Sequence, residues 1–458
     1  MTENKRLIHK LFTEFCSIIN VLLETAVFGA CWYLYYRSRL SDPFFRKGDW
    51  VVIFIFLVLY VGFCHIYSGL KINVPQKSEI VYSQFLSILF SNVIIYLIIL
   101  LLMKRLPPAW PLLLSVVAEI IVSLLWTITV HKLYFAITPP YRSVVVWDTR
   151  EGLDTLVESY GLNIRFNIVR RLGVEDCLAD LDRSLEDIEV VFLWGIHSHE
   201  RNQIIKYCIA NGIRAYVIPR VGDVIMSGAK SMHMFHLPVL FLERCSPSPM
   251  YLFFKRLVDI VVSGLALIIL SPTLLVVALL IRRDGGPAFY RQTRLTKDGK
   301  TFEVLKFRSM RTDAEKDGVA RLSTGENDDR ITPIGRFIRS CRIDELPQLI
   351  NIFKGEMTIV GPRPERPEIA KQYEEEMPEF SLRLQVKAGL TGLAQVYGKY
   401  NTTPYDKLLM DLEYISRIGI VEDIRIMFAT VKILFMPEST EGISAGQVTA
   451  MDHGDSAD

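Results

Sequence analysis

No Cys-x-x-Cys pair occurs among the seven cysteines, at positions 16, 31, 64, 177, 208, 245 and 341. So scattered and odd a set makes neither a disulfide framework nor a zinc site. The soluble parts of such a chain are expected in a reducing, cytosolic compartment. Net charge is scarce too. The 52 Lys and Arg against 50 Asp and Glu leave only +2 over 458 residues, so no bulk attraction to nucleic acid is expected. The opening MTENKRLIHKLFTEF has no small-residue cleavage motif, and a cleavable leader is not expected. Nor does a Gly-x-Gly-x-x-Gly follow the first strand-like stretch. WDTREG stands there, and Gly152 alone does not form a pyrophosphate turn.

What is abundant is apolar length. Half of the residues are hydrophobic and 11% are aromatic, which points to membrane segments. Four apolar runs come first, at 15–36, 50–69, 80–103 and 110–135. Each is close to the roughly 20 residues that cross a 30 Å hydrocarbon core. Glu24, Glu119 and His131 lie in or beside these runs and are expected to face the interior of a helix bundle. Basic residues flank both ends of the first run, so charge does not fix orientation. An even number of crossings still puts both ends of the block on one side.

Between 142 and 243 the composition turns soluble. SVVVW, IRFNIVR, IEVVFLW and IRAYVIP read as buried strands, with helical stretches between them near 154–160, 175–185 and 200–211. This alternation predicts a small parallel α/β domain. Without the glycine fingerprint, its expected role is structural, oligomerising or regulatory.

KRLVDIVVSGLALIILSPTLLVVALLIRR, 255–283, is apolar again, with Ser271-Pro272 near its middle. Proline removes a backbone hydrogen bond and kinks or breaks a helix. Basic pairs at both ends suit two ends on the cytoplasmic face. A re-entrant helix–break–helix is therefore expected ahead of the alternative, a kinked span. Asp259, polar in an apolar run, is expected to anchor the segment at the interface or to pair with a cation.

The block from 286 onward is rich in groups that handle phosphate. Residues 287–310 read as two short strands about Lys297-Asp298-Gly299-Lys300. The two-residue period places Lys306 and Arg308 on one strand face, which suits either an exposed edge with charged outer positions or paired cations that hold a diphosphate. RIDELPQLINIFKG, 342–355, reads as a helix start. Asp344 is its expected N-cap, Leu346, Leu349, Ile350 and Phe353 its buried face, and Gly355 its stop. The two acids at the positive end of a helix dipole suit anionic chemistry. In IVGPRPE, 359–365, two prolines bracket Arg363, and Gly361 permits close backbone approach. Such a turn preorganises a cation for an oxyanion. A carboxylate attacks phosphorus when cations and a metal neutralise the developing charge. Together with the membrane segment, these parts suggest transfer of a phosphorylated group from a soluble nucleotide to a lipid. The stretch YISRIGIVEDIRIMFATVKILF is amphipathic in places and suits the bilayer interface.

The order KRLVDI, the Ser-Pro segment, FYRQTRLTKDGKTFEVLKFRSM, IDELPQLINIFKGEMTIVGPRPE and GLTGLAQVYG resembles the bacterial sugar transferase family. These are the polyisoprenyl-phosphate hexose-1-phosphate transferases, also called monotopic phosphoglycosyl transferases. Four preceding spans and a degenerate α/β domain resemble its long-form members, the undecaprenyl-phosphate galactose or glucose phosphotransferases. The resemblance implies a fold of four transmembrane helices, a small Rossmann-like α/β domain and a C-terminal α/β catalytic domain with a re-entrant membrane hairpin broken at Ser271 and Pro272. The corresponding division is 1–138, 139–248, 249–285 and 286–437, with a disordered tail at 438–458.

It also implies roles. Asp344 is the nucleophile that attacks the β-phosphate of a UDP-sugar, releasing UMP and leaving a sugar-phosphate on the aspartate. Glu345 assists in activating undecaprenyl phosphate or in placing Mg²⁺, and the metal sits at Asp344 and the diphosphate. Arg363 holds phosphate, with Lys306, Arg308, Arg342 and Gln348 near it. Membrane lipids and a second copy of the chain are expected partners. The expected location is the bacterial inner membrane, multi-pass, with the catalytic domain facing the cytoplasm. The product opens exopolysaccharide, capsule or O-antigen synthesis. One departure is KAGLTG, where Ala388 stands in place of the family's proline. Two other readings stay open: a glycosyltransferase that moves the sugar alone and releases UDP, and a scaffold with an inactive transferase domain.

Overall fold

The computed structural model describes residues 3–74, 76–149, 157, 161–283, 285–311, 330–398 and 402–434. The chain forms two compact units, Met1–Ile218 and Pro219–Asp458. The α/β domain is expected from the sequence to run to 248, and its last part, from Pro219, falls in the second of these units. The physical reason is packing: that segment lies on the later unit, and a Cβ built on Gly228 would stand 2.8 Å from Cβ of Ser416.

The first unit opens with α1 (Glu3–Cys31), continued by a π turn over Trp32–Tyr36, then α2 (Gly48–Tyr67), α3 (Lys77–Met103) and α4 (Trp110–Ile137). Each packs against two of the others, which closes a ring of four. All four are long and apolar enough to cross a membrane. Aromatics fill the middle, with Phe28 stacked on Phe56 at 4.4 Å and Trp32 Nε1 donating to Asp49 Oδ1 at 2.8 Å. Trp50, Phe54, Leu101 and Leu125 point outward. A bundle apolar on its outside suits a lipid solvent.

Four parallel strands follow: β1 (Tyr141–Trp147), β2 (Phe166–Gly173), β3 (Val190–Trp194) and β4 (Arg214–Val217), in the order β2-β1-β3-β4. Helices α5 (Val174–Ala179), α6 (Leu181–Ser184) and α7 (Ser198–Ala210) make the later crossovers. All four expected strands are present. Strand β1 is buried along Ser143–Val146, as a central parallel strand requires. The helix expected near 154–160 lies outside the described residues apart from Val157, and so does the tail at 438–458.

The second unit begins with α8 (Val221–Ser227) and the hairpin β5 (Lys230–Met234)–β6 (Leu237–Phe241). Helix α9 (Pro249–Arg282) is the fifth that is long and apolar enough to span. The expected interruption at Ser271-Pro272 is absent: α9 is one continuous helix with Pro272 inside it. The local chemistry explains this. Pro272 has no N–H for the carbonyl of Ile268, four residues back. Ser271 Oγ donates to that same carbonyl at 2.8 Å, so the freed acceptor is satisfied.

Hairpin β7 (Phe289–Leu295)–β8 (Thr301–Phe307) follows as expected, turning at Lys297–Gly299, where Asp298 has φ 59°. Beyond it stand α10 (Pro333–Ser340), a 3-10 turn at Ile343–Glu345, α11 (Gln348–Lys354), β9 (Thr358–Val360), α12 (Pro367–Glu376), β10 (Gly389–Thr391), α13 (Leu393–Tyr397), α14 (Pro404–Ser416) and α15 (Ile420–Leu434). Strands β9 and β10 are parallel, and their neighbours build the core around Ile352, Met357, Leu408 and Ile426.

Candidate active site

Asp344 is not a helix cap. It lies inside the 3-10 turn, preceded by Arg342 in the left-handed region at φ 53°. Helix α11 starts only at Gln348, with Pro347 before it and no side-chain cap, and Gly355 (φ 90°) ends it as expected. A helix this short does not supply the dipole site that the sequence suggested. Its buried face is also rotated from the expected one. Gln348, Leu349, Asn351 and Ile352 are buried while Phe353 is exposed.

Asn351 is the reason for that rotation. Its Nδ2 donates to Glu303 O at 2.7 Å and its Oδ1 accepts from Leu305 N at 2.9 Å. One amide side chain thus ties α11 to the backbone of β8. The next residue along β8, Lys306, reaches the turn, and its Nζ donates to Glu345 Oε1 at 2.9 Å.

Arg363 comes to the same oxygen from the other side, with Nη2 at 3.0 Å from Glu345 Oε1. Its loop is held from behind. Arg383 Nη2 donates to Arg363 O at 2.8 Å, and Arg294 Nη1 to Pro364 O at 3.1 Å. Arg383 is itself buried in an ion pair with Asp411 at 2.6 Å. Close approach of β9 and β10 shapes the loop further. Gly361 N donates to Thr391 O at 2.8 Å, and a Cβ on Gly389 would lie 2.1 Å from Gly361 N. At the departure from the family pattern, Ala388 N donates to Thr296 Oγ1 at 3.1 Å. A proline there would lack that donor.

The two acids are differently placed. Burial raises the Glu345 carboxyl, but the charges of Lys306 and Arg363 outweigh it and hold it well below the usual carboxylate range. Asp344 moves the opposite way. Burial, then the neighbouring Glu345 charge, push its carboxyl up, against Lys306, Arg339 and Arg363. Among the described residues no hydrogen bond or ion pair engages the Asp344 carboxylate. Glu345 is the fixed anion of the site, and Asp344 is the uncommitted one.

Of the residues singled out in the sequence, Lys306, Glu345, Gln348 and Arg363 line one small cleft, with Arg294 and Val304. Asp344 adjoins it, within reach of the charges of Lys306 and Arg363. Arg342 shapes the turn through its backbone, its carbonyl accepting from Glu345 N at 3.3 Å. Arg308 does not share a face with Lys306. Strand β8 ends at Phe307, and Arg308 is buried with Nε donating to Pro287 O at 2.8 Å and Nη2 to Ile281 O at 3.2 Å. The last carbonyls of α9 need outside donors, and this guanidinium is directed there.

Three contributors were not picked out from the sequence. Arg339 acts on Asp344 by charge, and its Nη1 is buried with no hydrogen-bond partner among the described residues. Arg294 and Arg383 are hidden in a sequence already dense with arginine. Asp259 is better accounted for: it accepts from Ile359 N at 2.9 Å and from Thr358 Oγ1 at 2.7 Å. It anchors α9 to β9. The four-residue spacing of Lys255 and Asp259, which puts both on one helix face, was the available signal.

The resemblance to the family implies a divalent metal at Asp344. Among the described residues no three His, Cys, Asp or Glu gather around one point. Mg²⁺ is commonly held by one or two carboxylates together with substrate phosphates, and an unengaged Asp344 beside a cation-lined cleft fits that donor set.

The profile of the bacterial sugar transferase family matches residues 250–437. A UDP-N-acetylgalactosamine-undecaprenyl-phosphate N-acetylgalactosaminephosphotransferase from Aeromonas hydrophila is 34% identical over 239 residues, 51% of this chain and 55% of that protein. A UDP-glucose:undecaprenyl-phosphate glucose-1-phosphate transferase from Klebsiella pneumoniae is 41% identical over 220 residues, 47% of each chain. The match thus spans about half the length of these two relatives. A shorter exopolysaccharide production protein from Rhizobium leguminosarum bv. phaseoli is 44% identical over 192 residues, 40% of this chain but 95% of that protein. A match over nearly all of that protein, together with the profile match across the segment that carries the acid pair and its cations, means that this chain belongs to the bacterial sugar transferase family.

Proposed function

We propose that the protein transfers a hexose-1-phosphate from a UDP-sugar to undecaprenyl phosphate, giving an undecaprenyl-diphospho-sugar and UMP. The observation that carries this reading is the contrast between the acids: Glu345 clamped by Lys306 and Arg363, Asp344 unengaged beside them. The family's named relatives act on a UDP-sugar and undecaprenyl phosphate, which supports the substrates.

In the first displacement an Asp344 carboxylate oxygen attacks the β-phosphorus. The bond from that phosphorus to the bridging oxygen breaks, and UMP leaves with the bridging oxygen and its electron pair. In the second, an oxygen of the lipid phosphate attacks the aspartyl-bound phosphorus. The bond to Asp344 breaks, the carboxylate is regenerated and the lipid diphosphate is complete. Splitting one transfer into two displacements is covalent catalysis and gives ping-pong kinetics. Arg363, Lys306 and Arg339 are the cations that meet the phosphate charge. Glu345 keeps Lys306 and Arg363 in place and orients the incoming lipid phosphate. Mg²⁺, held by Asp344 and the diphosphate, would supply charge neutralisation at phosphorus.

The exposed apolar face of α9, including Ile268 and Ile269, meets the membrane lipids from which the acceptor arrives. In this reading α9 enters and leaves on the cytoplasmic face of the inner membrane, bending at Pro272, and the first unit is a multi-pass anchor with a Rossmann-like domain. A homodimer belongs to the same reading.

The test is nucleotide release by protein in nanodiscs with Mg²⁺, undecaprenyl phosphate and one UDP-hexose or UDP-N-acetylhexosamine at a time. UMP is expected with one donor and is lost roughly 10⁴-fold or more in Asp344→Asn. Release of UDP, or UMP release that survives Asp344→Asn, overturns the mechanism.

A further inference from the structure

Inside the four-helix ring of the first unit, Glu24 on α1 and Glu119 on α4 are both fully buried. Glu119 is well supported: Ser115 Oγ donates to its Oε1 at 2.8 Å and Asn92 Nδ2 to its Oε2 at 2.6 Å. Glu24 is not, since neither of its oxygens has a hydrogen-bond partner among the described residues. The charged group that acts on Glu24 is Glu119, and no cationic side chain is among those acting on either. Asn92 Oδ1 is also buried and without a partner. Asn20, one helical turn before Glu24, is buried too, its Oδ1 accepting from Tyr60 OH at 2.8 Å.

We propose that this interior is a binding site for a hard divalent cation, held by the carboxylates of Glu24 and Glu119 and the amide oxygen of Asn92. Charge balance favours it. Two carboxylates away from water are strongly unfavourable when uncompensated, and a doubly charged ion compensates both, whereas a monovalent ion leaves one. The orphaned atoms are mainly oxygens, the donors that hard cations take. Protonation fits less well: a protonated Glu24 is still buried with no hydrogen-bond partner for either oxygen among the described residues. Such a site ties α1 to α3 and α4.

The experiment uses full-length protein in nanodiscs with Mn²⁺ as the probe, read by electron paramagnetic resonance. Asp344→Asn removes the metal contribution expected at the catalytic cleft. In that background one Mn²⁺ per chain is expected, and Glu24→Gln and Glu119→Gln should each weaken its binding at least tenfold. Thermal midpoints provide a second reading: Mn²⁺ or Ca²⁺ should raise the midpoint of the Asp344→Asn protein and not of its Glu24→Gln derivative. Should one glutamine variant fail to fold, the other and Asn92→Leu carry the comparison. Absence of Mn²⁺ binding in the Asp344→Asn background, or unchanged binding in a folded Glu24→Gln derivative, overturns the proposal. So does a midpoint that rises with acid and ignores both ions, which identifies a proton instead.

Discussion

Lys255 Nζ donates to the carbonyl of Val360 at 2.9 Å, three residues before Arg363. The same ammonium meets Asp423 at 2.7 Å, and Tyr251 and Tyr414 also donate to that carboxylate. The base of α9 therefore fixes β9, and β9 leads into the loop that holds Arg363. Arg256 works in parallel, donating to Ile352 O and Phe353 O at the end of α11, both at 2.7 Å. One helical turn of α9 thus positions both arms of the acid–cation site. Lys255→Met should destabilise the protein by about 3 kcal/mol, because it strands a nearly buried Asp423. It should also lower kcat about tenfold or more with a smaller change in KM. Thermal denaturation and steady-state kinetics check this, and an unchanged kcat would show that β9 keeps its place without Lys255.

The pH dependence follows from the opposite shifts of the two acids. A nucleophilic Asp344 must be ionised, so the rate falls as pH drops through its raised pKa. The acid limb of kcat/KM should therefore lie above the roughly pH 3.9 of a free aspartate. Arg339→Gln removes a cation that acts on Asp344 and should move the limb further up. Glu345 has the reverse linkage. Its depressed folded pKa stabilises the fold fully above its unfolded value near 4.3, and that contribution is lost as pH falls from there toward the folded value. A limb that moves down in Arg339→Gln would contradict this electrostatic picture.

Glycine is required where β9 and β10 touch. A Cβ at Gly389 would sit 2.1 Å from Gly361 N and 2.6 Å from Gly361 Cα. Neither contact can relax by a side-chain rotation, since both atoms are backbone. Gly389→Ala should cost about 1–3 kcal/mol by overpacking and displace Arg363 from Glu345. Its activity should fall more steeply than that of a surface Gly→Ala control such as Gly222→Ala, where nothing lies within 4 Å of the built Cβ.

The sequence made the periodic elements legible: four long helices, four parallel strands and the β7–β8 hairpin all follow from apolar length, β-branched runs and turn residues. It misplaced the elements governed by single polar side chains. Alternation predicted Arg308 beside Lys306, but the unsatisfied end of α9 claimed its guanidinium. Helical spacing predicted a buried Phe353, but Asn351 turned α11 by binding the edge of β8. Asp344 and Glu345 were legible as a pair, yet their division into a free and a clamped acid depends on residues 38 and 39 positions upstream and 18 and 19 downstream, distances across the fold that local patterns do not carry. Ser271-Pro272 was legible as a point of stress and not as its own remedy.

That remedy can be tested by a double substitution. Ser271 Oγ serves the Ile268 carbonyl that Pro272 leaves without a backbone donor. In an apolar surrounding an unserved carbonyl costs about 1–3 kcal/mol. Ser271→Ala should destabilise α9 by that order. Pro272→Ala restores the backbone N–H to Ile268, making the serine hydroxyl dispensable. The effect of Ser271→Ala should then nearly vanish in the Pro272→Ala background. Unfolding of nanodisc-embedded protein measures the stability cycle, and product formation measures whether α9 without Pro272 still supports turnover. Equal costs of Ser271→Ala in both backgrounds would mean that the hydroxyl is not compensating for the proline. If the stability cycle couples while Pro272→Ala alone abolishes turnover, the proline serves the chemistry and the serine bond is what makes it tolerable.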